Sequence, residues 1–348
     1  MPPSTPPDDI IALVAANMAV WRAALITSAA VDVVLYVAIV AQTVRYFCTR
    51  SNDESSAAVA RIVDVSGLEA QSKDRSSRFH QRPWDWLVFL VVTIATFKAG
   101  CSLATTVILR QPLSGREFCD ALVSFPVYIA PFLTALIGLV SGTFYLHRLV
   151  KLLRVQESVL GNCRFRAFIM IIIEALFLTT LGLSIYYTRL AADGWDKFVP
   201  FATAQLSCAA VGDMLVTGLT LACILNTEKH ITETKRSPLR HIARITALSA
   251  AVPTITAIAN VLCVAIPAVS NTLWHNLPNY ALGQLFVLSL LWTLQVRQQI
   301  AHQSTESARL TSTATWSTKR EGRPNFMNRT SMFARTIPLN DISSEFKN

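Results

Sequence analysis

The chain has 348 residues, of which 52% are hydrophobic and 15% charged, with a net charge of +9 and a mean hydropathy of +0.41. Soluble domains carry about 25% charged residues, so a water-soluble fold is excluded and most of the chain must face lipid or other apolar helices. The basic residues are spread over several short segments, which argues against nucleic acid as a partner and for anionic membrane lipid.

A helix needs about 20 apolar residues to cross a hydrocarbon core of about 30 Å. Seven windows meet that length: Ala23–Val44, Trp84–Leu109, Ala121–Tyr145, Phe165–Tyr187, Val199–Leu225, Ile245–Ile266 and Leu273–Leu294. They are continuous rather than alternating, so they read as helices and not as barrel strands.

In chain order, the tail 1–20 carries Asp8 and Asp9 but no Lys or Arg. Nothing in it has the basic start and short apolar core of a cleavable signal peptide. The first span holds Asp32. The loop 49–82 is long, polar and basic, and within it Ala57–Leu68 is weakly amphipathic: a short surface helix or a disordered connection. The second span holds Lys98. The third contains Pro126 and Pro131, and the sixth contains Pro253, which are expected to kink their helices by removing a hydrogen bond. The fourth span holds Glu174, the fifth Asp213, the sixth Asn260 and the seventh Gln284. The tail 298–348 is rich in Ser, Thr and Arg and is expected to be disordered. It would be open to phosphorylation and to a cytosolic partner, or be a plain solvated tail.

The loops set the topology. Segments after the first, third, fifth and seventh spans carry 25 Lys and Arg; those after the second and fourth carry 4. Cytosolic segments are the Lys- and Arg-rich ones. The reading is an all-α membrane protein, a seven-transmembrane-helix bundle at 21–297 with its N-terminus outside and its C-terminus cytosolic. It is multi-pass, with the plasma membrane the expected location. Arg22 and Lys98 complete the 31 basic residues.

Ionisable side chains within a membrane are costly, so each is a candidate functional site. A rise of about 1.5 Å per residue puts Asp32, Lys98, Glu174 and Asp213 roughly 15–20 Å deep, near the midplane. Lys98 is expected to pair with Asp32 or Asp213, with Asn260 and Gln284 able to join the network. Two roles are open for this polar layer: a cavity for a small ligand, proton or ion, or an ion pair that orders the bundle.

Other chemistry is missing. No zinc-protease, nucleophile-elbow or phosphate-loop motif occurs. The six histidines fall near span ends, so paired axial haem ligands are not available. No metal or cofactor is implied, and an enzyme is the less favoured class. Cys119 is the one cysteine in an outside loop, so no disulfide framework is expected.

The second half resembles a known family. Its marks are Ala209-Ala210-Val211-Gly212-Asp213-Met214-Leu215-Val216 in the fifth span, Ile242-Ala243-Arg244-Ile245-Thr246 entering the sixth, and Ser289-Leu290-Leu291-Trp292-Thr293-Leu294-Gln295-Val296-Arg297 closing the seventh. The third span exits through Phe144-Tyr145-Leu146-His147-Arg148. These are similar to the seven-helix membrane proteins of the DUF6534 family of fungi, mainly basidiomycetes. The resemblance covers about Leu122–Arg297 and points to Asp213, Arg148, Ser289 and Arg297 as family-like positions. Gly212 and Gln295 depart from the family's usual Ala and Asn. The family has no assigned activity, so the resemblance implies fold and topology only.

Three functions fit these features. The topology, short outside loops and Ser/Thr-rich tail favour a receptor-like or sensor protein. A transporter or channel using the midplane charges is the alternative, and a structural membrane protein without a small ligand is the third.

Overall fold

Backbone amides inside hydrocarbon must bond to one another, and a helix achieves this within one segment. The computed structural model of this chain meets that demand with helices, and among the described residues there is no strand. The backbone is described over 8–63, 70–122, 124–155, 163–190, 198–230, 236–266, 269 and 272–320. Side chains are described for most positions within 15–49, 84–153, 164–186, 201–225 and 249–299.

In order, the helices are α1 (Asp8–Val63), α2 (Ala70–Arg110), α3 (Gly115–Leu122), α4 (Phe125–Val155), α5 (Cys163–Leu190), α6 (Phe198–His230), α7 (Arg236–Ala265) and α8 (Asn276–Arg320). Six stretches are long and apolar enough to cross a membrane: Ala15–Thr49, Trp84–Arg110, Phe125–Val150, Arg166–Tyr186, Phe201–Cys223 and Asn276–Val296. They overlap six of the seven expected windows. The remaining window lies in α7, where the apolar stretch among the described residues is shorter, Ser249–Ala265.

Several boundaries differ from expectation. Helix α1 starts at Asp8, inside the expected tail, because 10–19 contains neither Gly nor Pro. The third window was expected to begin at Ala121, but Ala121 and Leu122 belong to α3 and the spanning helix begins at Phe125. Pro126 therefore stands in the first turn of α4, where its missing N–H costs nothing; Pro131 and Pro253 are inside α4 and α7. Helix α8 continues to Arg320, through 298–320 that were expected to be disordered. Good helix formers such as Gln298, Gln299, Ala301, Glu306, Ala308 and Leu310 fill that stretch, and the first glycine after it is Gly322. The first part of the expected surface helix, Ala57–Val63, is the end of α1. Residues 64–69 and the tail from 321 lie outside the described residues.

The chain divides into two compact units. The first, Met1–Thr49 with Trp86–Thr293, contains the bundle. The second, Arg50–Asp85 with Leu294–Asn348, is made, among the described residues, of the continuations of α1, α2 and α8.

Within the first unit α4 packs on α5 and α6, and α6 packs on α7. The spanning part of α8 is 67% buried, against 22% for that of α5, so α8 is the inner helix and α5 an outer one. Large apolar side chains such as Val34, Trp86, Phe97, Ile171 and Ile255 are exposed on the bundle surface. Water would penalise such a surface, whereas acyl chains do not.

The two ends of the bundle close differently. At one end, α3 lays Phe118, Cys119, Ala121 and Leu122 against Trp21 and Leu25 of α1 and Leu109 of α2. Leu273, held at a left-handed φ of 60°, packs on the same cluster. At the other end Leu149 and Leu153 of α4 meet Cys223 of α6, and Arg166 of α5 donates to the Leu153 carbonyl at 2.8 Å.

Helix α3 begins with a reciprocal cap. The Ser114 amide donates to Glu117 Oε2 at 2.7 Å, and the Glu117 amide donates to Ser114 Oγ at 3.3 Å. These bonds hold the exposed Glu117 carboxyl below its usual range. The cap's electrostatic contribution is thus present above the ordinary Glu pKa and lost as pH falls through the lower folded value. Burial under α3 pushes the Cys119 thiol up. Ser114→Ala is expected to weaken the cap by about 1 kcal/mol. Maleimide labelling of Cys119, followed by peptide mapping, should become faster in that variant than in the wild type.

Candidate functional site

Two polar sites lie within the apolar bundle. The first is an ion pair. Asp32 on α1 and Lys98 on α2 are both fully buried and bonded through Asp32 Oδ1 and Lys98 Nζ. A charge stripped of water needs every remaining polar atom satisfied. Ser102, one turn beyond Lys98, donates to Asp32 Oδ2 at 2.7 Å. Lys98 donates also to the Tyr280 carbonyl of α8 at 2.7 Å, and its ammonium stands 5.3 Å from the centre of the Tyr280 ring.

Glycine makes this reach feasible. A Cβ on Gly283 would come 3.2 Å from Lys98 Cε and 3.4 Å from Thr134 Oγ1. The bare backbone of α8 at Gly283 therefore lets the lysine arm pass close to the helix. Three helices, α1, α2 and α8, meet at this one pair.

The second site is a small cavity of about 20 Å³ lined by α4, α5, α6 and α8, enough for about one water molecule. On α6, Gln205, Ala209 and Asp213 line it at four-residue intervals, which places them on one helix face. Thr134 of α4, Thr180 of α5 and Asn279 of α8 add polar groups to a lining that is otherwise mostly apolar, with Leu139, Leu206, Leu282 and Phe286 among it. Asp213 is only 6% exposed, and its Oδ2 has no hydrogen-bond partner. Gln205, Thr134 and Thr180 are also buried.

Phe177 forms the apolar wall and sits in a notch between two glycines. A Cβ on Gly142 of α4 would stand 2.7 Å from its ring, and one on Gly212 of α6 would stand 3.3 Å away. A methyl group on Gly212 would press on the ring.

Lys98 chose Asp32, not Asp213, so the polar layer is not one network. Glu174 is half-buried on α5 and accepts from Thr143 of α4 at 3.3 Å, with its Oε2 unpaired. Asn260 is fully buried and its amide donates to Asn279 Oδ1 at 3.5 Å. It thus backs the cavity wall rather than the ion pair. Gln284 is fully buried with neither amide atom partnered.

Ser289 ties three helices. It donates to the Ser249 carbonyl of α7. Having used its only proton, it must accept from the Tyr145 hydroxyl of α4. Ser249 Oγ meets Thr293 Oγ1 at 3.1 Å. Arg148 lies half-buried three residues after Tyr145; Arg297 is in α8, and its side chain lies outside the described residues.

Residues 209–299 match the model of a family of unknown function, DUF6534. No curated protein and no solved structure matches the chain. The DUF6534 match includes Asp213, Ser249, Asn260, Asn279, Gln284 and Ser289. It begins after Asp32, Lys98, Thr134, Thr180 and Gln205. The family therefore supports the α6–α8 half, and the α1–α2 ion pair stands outside the matched segment. Among the described residues no group of three or more His, Cys, Asp or Glu could hold a metal.

Two outcomes are expected in thermal unfolding of the solubilised protein. Lys98→Met leaves Asp32 buried and unpaired and should cost about 3–5 kcal/mol, while adding Asp32→Leu to it should recover most of that loss. Gly142→Ala must displace the Phe177 ring and should cost about 1–3 kcal/mol.

Proposed function

We propose that this protein is a receptor-like or sensor membrane protein. In this reading it is fungal, with seven spans, an outside N-terminus, a cytosolic C-terminus and residence in the plasma membrane. The DUF6534 match supports the family, and the six spanning helices support the multi-pass class. The seventh span is α7, whose 30 residues exceed the roughly 20 that a crossing needs. The basic tail after α8 then lies in the cytosol, where phosphorylation or a protein partner would act on it.

One observation favours a sensor over a transporter. Lys98 and Asp32 are fully buried and satisfy each other, whereas charges that serve a conducting path face water along it. Asp213 lines a separate, small cavity. The charges thus serve two local sites and do not line one route.

The test has two arms in sealed, oriented vesicles. Protease should remove a tag from the N-terminus on the outer side and spare one on the C-terminus; both tags on one side would overturn the seven-span topology. Flux of H⁺, Na⁺ or K⁺ through vesicles containing the protein should match that of empty vesicles. Saturable flux lost in Asp213→Asn would replace the sensor reading with a transporter.

A further inference from the structure

We propose that the first turns of α7 bind a lipid whose headgroup carries several phosphates, an inositol phospholipid phosphorylated on its ring, through Arg236, Arg240 and Arg244. Helix α7 runs unbroken from Arg236 to Ala265. Its three arginines recur at every fourth position, which sets them along one side of the helix. The same 30 residues contain no Asp or Glu, so no acid of α7 can pair with them one turn away. In the preceding segment Glu228 and Glu233 are matched by Lys229 and Lys235. The column therefore adds positive charge that this part of the chain does not offset.

Helical register says which side the column is on. Ile255 and Leu262 follow Arg244 by about three and five turns, so the three positions share a face. Ile255 is 65% exposed and Leu262 55% exposed. The face of α7 that meets acyl chains is thus the face on which Arg244 sits.

Depth places the column in the headgroup layer. A crossing of about 30 Å takes about 20 residues, which, counted back from Ala265, reaches Ile245. Arg244 then stands at the edge of the hydrocarbon, with Arg240 about 6 Å and Arg236 about 12 Å beyond it. One lipid can follow this line, its acyl chains along the apolar stripe and its headgroup along the arginines.

Two features choose the headgroup. All three positions are Arg, whose planar fork takes phosphate in paired bonds, where Lys would act as a point charge. The charges are also spread along the membrane normal. A serine headgroup offers one net negative charge, whereas ring phosphates stand farther into the water and extend the lipid's charge along the same line. Basic clusters that flank a spanning helix on the cytosolic side suit such lipids. The site goes beyond the sensor reading; only its leaflet rests on the proposed topology.

The experiment uses the full chain in neutral detergent micelles, with thermal unfolding followed as dioctanoyl phosphatidylinositol bisphosphate is added. A ligand that binds only the folded state raises the midpoint in a saturable way. The bisphosphate lipid is expected to do so. Dioctanoyl phosphatidylserine at equal total charge, and free inositol trisphosphate, which lacks acyl chains, should act only at higher concentration. Each of Arg236→Gln, Arg240→Gln and Arg244→Gln should weaken the apparent affinity by about fivefold, and the triple variant should lose the response. Removing the same charge from α2, as Arg75→Gln with Arg78→Gln and Arg82→Gln, should leave it intact. Equal responses to the bisphosphate and serine lipids would overturn the site, as would equal losses in the α2 and α7 variants, since both reduce it to general charge attraction. A response unchanged in the α7 triple variant would also overturn it. Should that variant fail to fold, the three arginines changed together to Lys keep the charge but not the fork, and an unchanged affinity there would overturn the site. Binding in micelles does not depend on orientation, so its absence tells against the site, and a failed tag assay tells against the topology.

Discussion

The bundle is organised around the Asp32–Lys98 pair. A lone ammonium or carboxylate at this depth would oppose folding strongly. Paired, bonded on both sides and roofed by the Tyr280 ring, the two charges become a neutral, shape-specific object. Its bonds join α1, α2 and α8 in one arrangement. Apolar surfaces in lipid have little to choose between one another. A buried polar match therefore supplies the register that hydrophobicity leaves open, the use of buried polar groups that is best attested.

A second set of constraints acts on the other half. Small residues let helices approach, and side chains fill the notches so made. Phe177 between Gly142 and Gly212 is one such fit. The Tyr145–Ser289–Ser249 chain is another, joining α4, α8 and α7 by matched donors and acceptors. Helix α8 belongs to both halves. Asn279 and Leu282 line the cavity, while Tyr280 and Gly283 hold Lys98.

Much of this was legible in the chain. Long apolar windows against a charged fraction of 15% identified the spanning helices, because lipid leaves the backbone few other options. Lys98 announced a buried partner, since it is too deep to reach water. What pattern alone left undecided was which acid it takes: Asp32 and Asp213 look alike in sequence, and only packing brings one of them against α2. Thr134 and Thr180 carried no signal at all, as small polar residues are common in such helices. The four-residue spacing of Gln205, Ala209 and Asp213 was the one available hint. The cap at α3 was readable from Ser114 and Glu117 three apart, yet the apolar run through Ala121 and Leu122 masked the break before α4.

The position of the ion pair in the chain bears on how the protein is made. Asp32 and Lys98 sit on α1 and α2, which leave the ribosome before α8. Each alone would resist entry into the bilayer by about 2.5–3.5 kcal/mol on insertion scales. As a hairpin they enter already neutralised, with Ser102 on the same hairpin completing the acid's bonds. The remaining acceptor, the Tyr280 carbonyl, arrives only with α8. The α1–α2 hairpin is thus a self-compensating pair of helices, and α8, which emerges after it, locks it.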